Sequence, residues 1–184
     1  GTVTAAQADA IADATSGAVT ATIKADTAKA LNKALDDGNT PATVNAYKLT
    51  VTGATADASD LNGLNGKTTL DVNAAAIKTV IGSDTSLVAL YAPTSKVSGL
   101  GNEAVTVEGD ALVANINSIN SKTTGVIDVS SVTMPTAAAP TTFKLTDLGD
   151  LAEITGLYKL NTVDTKATTI TLSIADLLAA NDSK

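Results

Sequence analysis

Leu61-Asn62-Gly63-Leu64-Asn65-Gly66-Lys67-Thr68-Thr69 returns later in the chain as Ile116-Asn117-Ser118-Ile119-Asn120-Ser121-Lys122-Thr123-Thr124. Every position matches as aliphatic, Asn, small, aliphatic, Asn, small, Lys, Thr, Thr, at one constant shift that carries Thr68 onto Thr123. The surroundings repeat as well. Leu49-Thr50-Val51-Thr52-Gly53 precedes the first copy and Val105-Thr106-Val107-Glu108-Gly109 the second, while Asp71-Val72 and Asp128-Val129 follow them. Ile23-Lys24-Ala25-Asp26-Thr27 pairs in the same way with Ile81-Gly82-Ser83-Asp84-Thr85, at a slightly longer shift. Such a period marks an array of units, none of which can bury its apolar side alone. Residues 1–184 therefore read as one array, with approximate units 2–49, 50–105 and 106–160 and a partial unit at 161–184.

Within a unit two textures alternate. Ala5 to Ala14 carries Ala8, Ile11 and Ala12 at helical spacing behind Thr4, a candidate N-cap. Ala18 to Ile23 then alternates apolar and polar, as a half-buried strand does. Asp26 to Leu35 predicts a second helix, stopped by Asp37-Gly38 and Pro41, and Tyr47 to Thr52 a second strand. The order recurs as helix Asp57 to Leu64, strand Thr69 to Val72, helix Asp84 to Tyr91 ended by Pro93, and strand Ala104 to Val107. Met134 to Pro140 breaks the pattern and reads as a loop or insertion. Beyond it, Asp147 to Ile154 predicts a helix, Thr168 to Ile174 a strand and Asp176 to Ala180 a terminal helix.

The expected fold is therefore α/β: a repetitive solenoid of short helix-strand coils, about 25–30 residues each, with a parallel sheet on one side. Tandem small β-sandwich domains are the alternative, because short Thr- and Val-rich strands are common to both. The helical spacing of Ala5–Ala14 and Asp26–Leu35 favours the solenoid.

Composition narrows function by what it lacks. Hydrophobic residues make up 44%, yet the large rings are only Phe143, Tyr47, Tyr91 and Tyr158, so the core must be thin and layered. There is no His and no Cys, and all 12 basic residues are Lys. The commonest general base, the thiolate nucleophile and the bidentate guanidinium fork are thereby excluded. The net charge of −7 opposes binding to nucleic acid or anionic lipid, which need clustered cations. No stretch approaches the roughly 20 apolar residues of a spanning helix, so membrane insertion is not expected. Residues 1–20 lack the basic start and apolar block of a signal peptide and open directly into the repeat, as in a piece cut from a longer chain.

Two acidic groups are candidate calcium sites. Asp36, Asp37 and Asn39 gather oxygens around Gly38, and Asp147 with Asp150 does so less tightly. The competing explanation, which is preferred, is a helix end closed by a Gly cap in the first case and an acidic first turn in the second. Thr pairs at 2 and 4, 20 and 22, 50 and 52, and 169 and 171 suggest an aligned Thr ladder, but Thr is also a preferred strand residue and Glu108 interrupts the series. Lys67-Thr68-Thr69 and Lys122-Thr123-Thr124 lack the Gly-rich loop of a phosphate cradle. Their expected role is a turn, in which Asn with Gly or Ser bends the chain and Thr-Thr opens the strand.

The Val-Thr-Val segments with their Ala-rich turns, the Lys-Thr-Thr blocks, Ser98-Gly99-Leu100-Gly101-Asn102-Glu103-Ala104-Val105 and Thr169 to Leu178 resemble repeats of very large secreted bacterial surface proteins. These are the adhesin-like, S-layer-like and RTX-type proteins, loosely described as haemolysin-like. The Gly- and Asp-rich calcium nonapeptide of the RTX group is absent from this sequence. The resemblance implies a non-enzymatic structural or adhesive module, extracellular or at the cell surface, acting as a spacer or interaction scaffold. Its implied partners are neighbouring domains of the same long chain, with cell-surface polysaccharide or self-association as further ones. A calcium- or polysaccharide-binding module is the alternative, with no other cofactor expected. A glycoside-cleaving β-helix would need paired acids in a groove and is disfavoured by the scarcity of sugar-stacking rings.

Overall fold

A computed structural model describes residues 1–35, 44–129 and 131–133, and beyond them three short strands at 142–143, 154–155 and 169–170. In chain order the elements are β1 (Thr2–Val3), α1 (Ala5–Asp13), β2 (Thr20–Ile23), α2 (Ala28–Ala34), β3 (Ala46–Thr50), β4 (Thr55–Asp57) and α3 (Ala58–Lys67). They continue with β5 (Val72–Asn73), β6 (Thr79–Gly82), α4 (Asp84–Leu90), β7 (Val97–Ser98), β8 (Ala104–Val107), β9 (Gly109–Asp110) and α5 (Val113–Asn120). The last are β10 (Ile127–Asp128), β11 (Val132–Thr133), β12 (Thr142–Phe143), β13 (Ile154–Thr155) and β14 (Thr169–Ile170). The fold is mixed α/β with parallel sheets. Each described pair of strands whose register is defined is parallel, which excludes the antiparallel ladders of a β-sandwich.

Two compact units divide the chain: Gly1–Val80 with Ala89–Leu100, and Ile81–Val88 with Gly101–Lys184. In the first, five strands run in the order β1-β2-β3-β5-β7. Val3 pairs with Ile23, Leu49 with Val72 and Val72 with Val97, while Thr22 and Lys48 pair just ahead of Ile23 and Leu49. One apolar row thus crosses the sheet, and the chain returns to it at Val3, Ile23, Leu49, Val72 and Val97, each return some two dozen residues after the last. Ile23, Leu49 and Val72 are buried in this row. Helices α1, α2 and α3 pack in sequence beside it, burying Ala5, Ala8, Ala12, Ala28, Leu31, Leu61 and Leu64. Small residues on α1 let it approach closely, and Tyr47 reaches from β3 to donate its phenol to the Ala8 carbonyl at 3.3 Å.

The second unit has its own row, Val105, Ile127 and Ile154, through β8, β10 and β13. Val105 and Ile127 follow Leu49 and Val72 at the shift of the repeat, to within one position. The repeat read in the sequence therefore maps one apolar row onto the other. Gly53 and Gly109, related by the same shift, both take positive φ (96° and 74°) where the chain turns out of β3 and β8. Further along, β9 pairs with β11 and β12 with β14.

Local signals explain the helix starts. Thr4 caps α1 with a reciprocal box: its hydroxyl accepts the Gln7 N–H (3.2 Å) and Gln7 Oε1 accepts the Thr4 N–H (3.0 Å). Thr27 and Asp57 cap α2 and α3.

Several expectations need correction. The Asn-Gly and Asn-Ser steps do not bend the chain, because Leu61 to Lys67 lies in α3 and Ile116 to Asn120 in α5. Burial of Leu61 with Leu64, and of Ile116 with Ile119, stabilises helix there more than Asn, Gly and Ser disfavour it. The strand expected from Thr69 starts only at Val72, since Thr68 to Asp71 bends around the Thr68 hydroxyl. Ile154, expected to end a helix, lies in β13 as a row residue; 147–153 fall outside the described residues, as do 134–140 and 176–180.

Leu49→Ala should lower the unfolding free energy by about 2–5 kcal/mol in urea titration, whereas Thr22→Ala on the opposite face should stay within about 0.5 kcal/mol of the parent. Gly125→Ala should destabilise by at least about 1–3 kcal/mol, because the new Cβ would collide with the backbone carbonyl of Glu103. Gly66→Ala, in an α3 position with nothing within 4 Å of the added Cβ, should stabilise by about 0.5–1 kcal/mol.

Candidate functional site

Five polar side chains are buried among the described residues: Asn45, Thr68, Asp84, Glu103 and Thr123. A reactive site built on them would need donors or acceptors left over after folding. Thr68 Oγ1 donates to the Tyr47 carbonyl (2.7 Å) and accepts the N–H groups of Tyr47 (2.9 Å) and Leu70 (3.1 Å). A hydroxyl has one proton and two lone pairs, so its capacity is full. Thr123, its counterpart in the next repeat, donates to the Glu103 carbonyl (2.6 Å) and accepts the Gly125 N–H (3.0 Å). Both threonines clamp a strand approach to the backbone of the preceding coil, at sequence separations of 21 and 20.

The other three do related work. Asn45 Oδ1 accepts the Val19 N–H (2.9 Å) ahead of β2. Glu103 takes the N–H groups of Gly101 and Asn102 into its carboxylate and closes the turn into β8. The residue before α5 is Leu112, whose side chain cannot cap, so Asp84 supplies the acceptor from far back in the sequence. Its Oδ2 accepts the Leu112 N–H at 2.9 Å and Asn115 Nδ2 at 2.7 Å. Asn65 Oδ1 likewise accepts the Lys96 N–H ahead of β7 (2.7 Å). The sequence pointed to the two threonines through the repeated block. Asn45, Asp84 and Asn65 were missed, since nothing local marks a side chain whose partner lies a whole coil away.

The candidate metal residues Asp36, Asp37, Asn39, Asp147 and Asp150 lie outside the described residues. Among the described residues no three Asp or Glu side chains converge as a metal-holding group.

What remains is a surface. On the face of the first sheet opposite the apolar row, Thr2 pairs with Thr22 and Thr22 with Lys48. Asp71 and Lys96, immediately ahead of the Val72–Val97 pair, continue that row. A second row carries Thr50, Asn73 and Ser98, of which Thr50–Asn73 and Asn73–Ser98 are register partners, and Lys24 follows directly on β2, ahead of the bridge from Asp26 to Val51. Thr2, Thr22, Lys24, Lys48, Asp71, Asn73 and Ser98 are exposed; Thr50 and Lys96 are half-buried. The aligned Thr series therefore ends after two strands, where Lys48 stands next to Thr22. Neighbouring positions in a row lie about 4.8 Å apart from strand to strand.

Comparison with known protein families, with curated proteins and with solved structures returned no match.

Thr68→Val keeps the shape but orphans two N–H groups and a carbonyl, and should cost about 2–3 kcal/mol in denaturant unfolding, with Thr68→Ser costing less than half of that. Thr123→Val should behave alike. A Thr68→Val protein as stable as the parent would show that the hydroxyl does not clamp the strands.

Proposed function

We propose that the chain is a structural module of a secreted bacterial cell-surface protein: an α/β solenoid of short strand-and-helix coils serving as a spacer or interaction scaffold. The supporting observation is the apolar row to which the chain keeps returning, with buried Thr and Asn side chains tying returns to the coil before. Stacking of this kind converts sequence length into physical length, about 4.8 Å per coil, and leaves a broad face toward solvent. The buried polar side chains of the described residues are committed to backbone groups, which favours a non-enzymatic role for that part. Neighbouring domains of the same long chain are the expected partners. No helix among the described residues is long and apolar enough to cross a membrane.

Length is the direct test. Helices α3 and α5 begin at equivalent positions of the repeat, Ala58 and Val113, so a second copy of the segment 58–112 inserted before Val113 enters in phase. Small-angle scattering should show a maximum dimension about 10 Å greater, two coil pitches, at unchanged cross-section. A compact particle that grows in all directions would overturn the solenoid.

Calcium separates the scaffold from a calcium-binding module. Melting followed by circular dichroism should give the same midpoint in millimolar calcium and in chelator; a rise with calcium would move the assignment to Asp36, Asp37 and Asn39 or to Asp147 and Asp150.

A further inference from the structure

From the outer face of the first sheet we infer a binding surface for an extended, carboxylate-bearing polysaccharide. The face carries Lys48 and Lys96 with Asp71 between them, and exposed Lys24 stands at the end of β2 near Asp26, which bridges to Val51; on a chain whose net charge is −7 this is a locally cationic patch. Between the lysines stand Thr2, Thr22, Thr50, Asn73 and Ser98, short groups able to donate to and accept from sugar hydroxyls. Lys48 and Lys96 sit two strands apart in one row, about 10 Å, with Asp71 between them. That strand pitch is close to the rise per sugar of an extended pyranose chain, so the two ammonium groups meet the carboxylates of alternate sugars. Asp71 then faces the intervening one. Neutral glycans are disfavoured because these rows offer no aromatic ring for stacking. Nucleic acid is disfavoured because three lysines cannot offset phosphate repulsion from the rest of the chain.

The inference deepens the interaction-scaffold reading and rests on it for the setting in which such polymers surround the chain. It does not depend on the solenoid's length, so the two tests fail separately. The measurement is affinity electrophoresis and calorimetry of the full chain with polygalacturonate, and with fully methyl-esterified polygalacturonate as the uncharged control. Binding to the acid polymer alone is expected, weakening about tenfold or more between about 50 and 300 mM salt. Lys48→Gln with Lys96→Gln should weaken it at least about tenfold at low salt, whereas Asp71→Asn should strengthen it two- to threefold, with circular dichroism unchanged in each. Strengthening by Asp71→Asn is the result that a merely structural role for these residues would not give. Equal binding to the esterified polymer, or indifference to the lysine substitutions, overturns the inference. So does salt-sensitive self-association without polymer that the same lysine substitutions abolish, since the face would then serve a second copy of the chain.

Discussion

Strands of two to five residues cannot persist alone, and the first unit is made of nothing longer. Each contributes a few backbone donors and acceptors and one or two apolar side chains to a row that only its neighbours complete. In-register parallel pairing is thus the constraint on which everything else depends. It requires a return path of some two dozen residues, because a parallel neighbour cannot be reached by a tight turn. The helices are that path. Their Ala- and Leu-bearing sides close the space beside the row, which is why a chain with so few rings still buries a core.

Pairing this short needs something to set its register. Slipping by one residue would turn Ile23, Leu49 and Val72 outward and bring Lys24, Thr50 and Asn73 into the interior. Thr68, Thr123, Asn45 and Asn65 act against that slip, since each matches a particular N–H or carbonyl on a segment distant in sequence. Around the buried Thr68 and Thr123 hydroxyls a mismatch would leave several polar groups unpaired, so there the penalty for a wrong register exceeds the benefit of the right one. Gly125 belongs to the same device: bare of Cβ, it lets its segment come close enough to Glu103 for the Thr123 hydroxyl to reach the carbonyl.

The α/β class and helices α1, α2 and α4 were legible because apolar spacing and caps are local properties. Strand β8 was legible to the residue, since Ala104 to Val107 alternates cleanly. What stayed hidden depended on distant partners. The second half of α3 and all of α5 carry turn-forming residues, and only the burial of their aliphatic positions makes them helical. Strand β4 has only three residues and β6 reads Thr79-Val80-Ile81-Gly82 without apolar–polar alternation, so neither declares itself locally, and they exist because each has a neighbour to pair with. The lysine rows were equally out of reach. Which Lys stands beside which Thr depends on the length of each coil, which differs from one return to the next, and one residue more or less would redraw the surface.

Hydrogen bonds in the first sheet point from strand to strand, along the direction in which its rows advance. Tension applied along that direction therefore stretches each bond near its own axis and loads successive strand pairs in series rather than in parallel. The weakest pair yields first and releases the slack of one whole coil before the next is stressed. A sheet loaded this way lengthens in steps at modest force and dissipates work at each step, unlike one sheared along its strands, where all the bonds of a pair resist together.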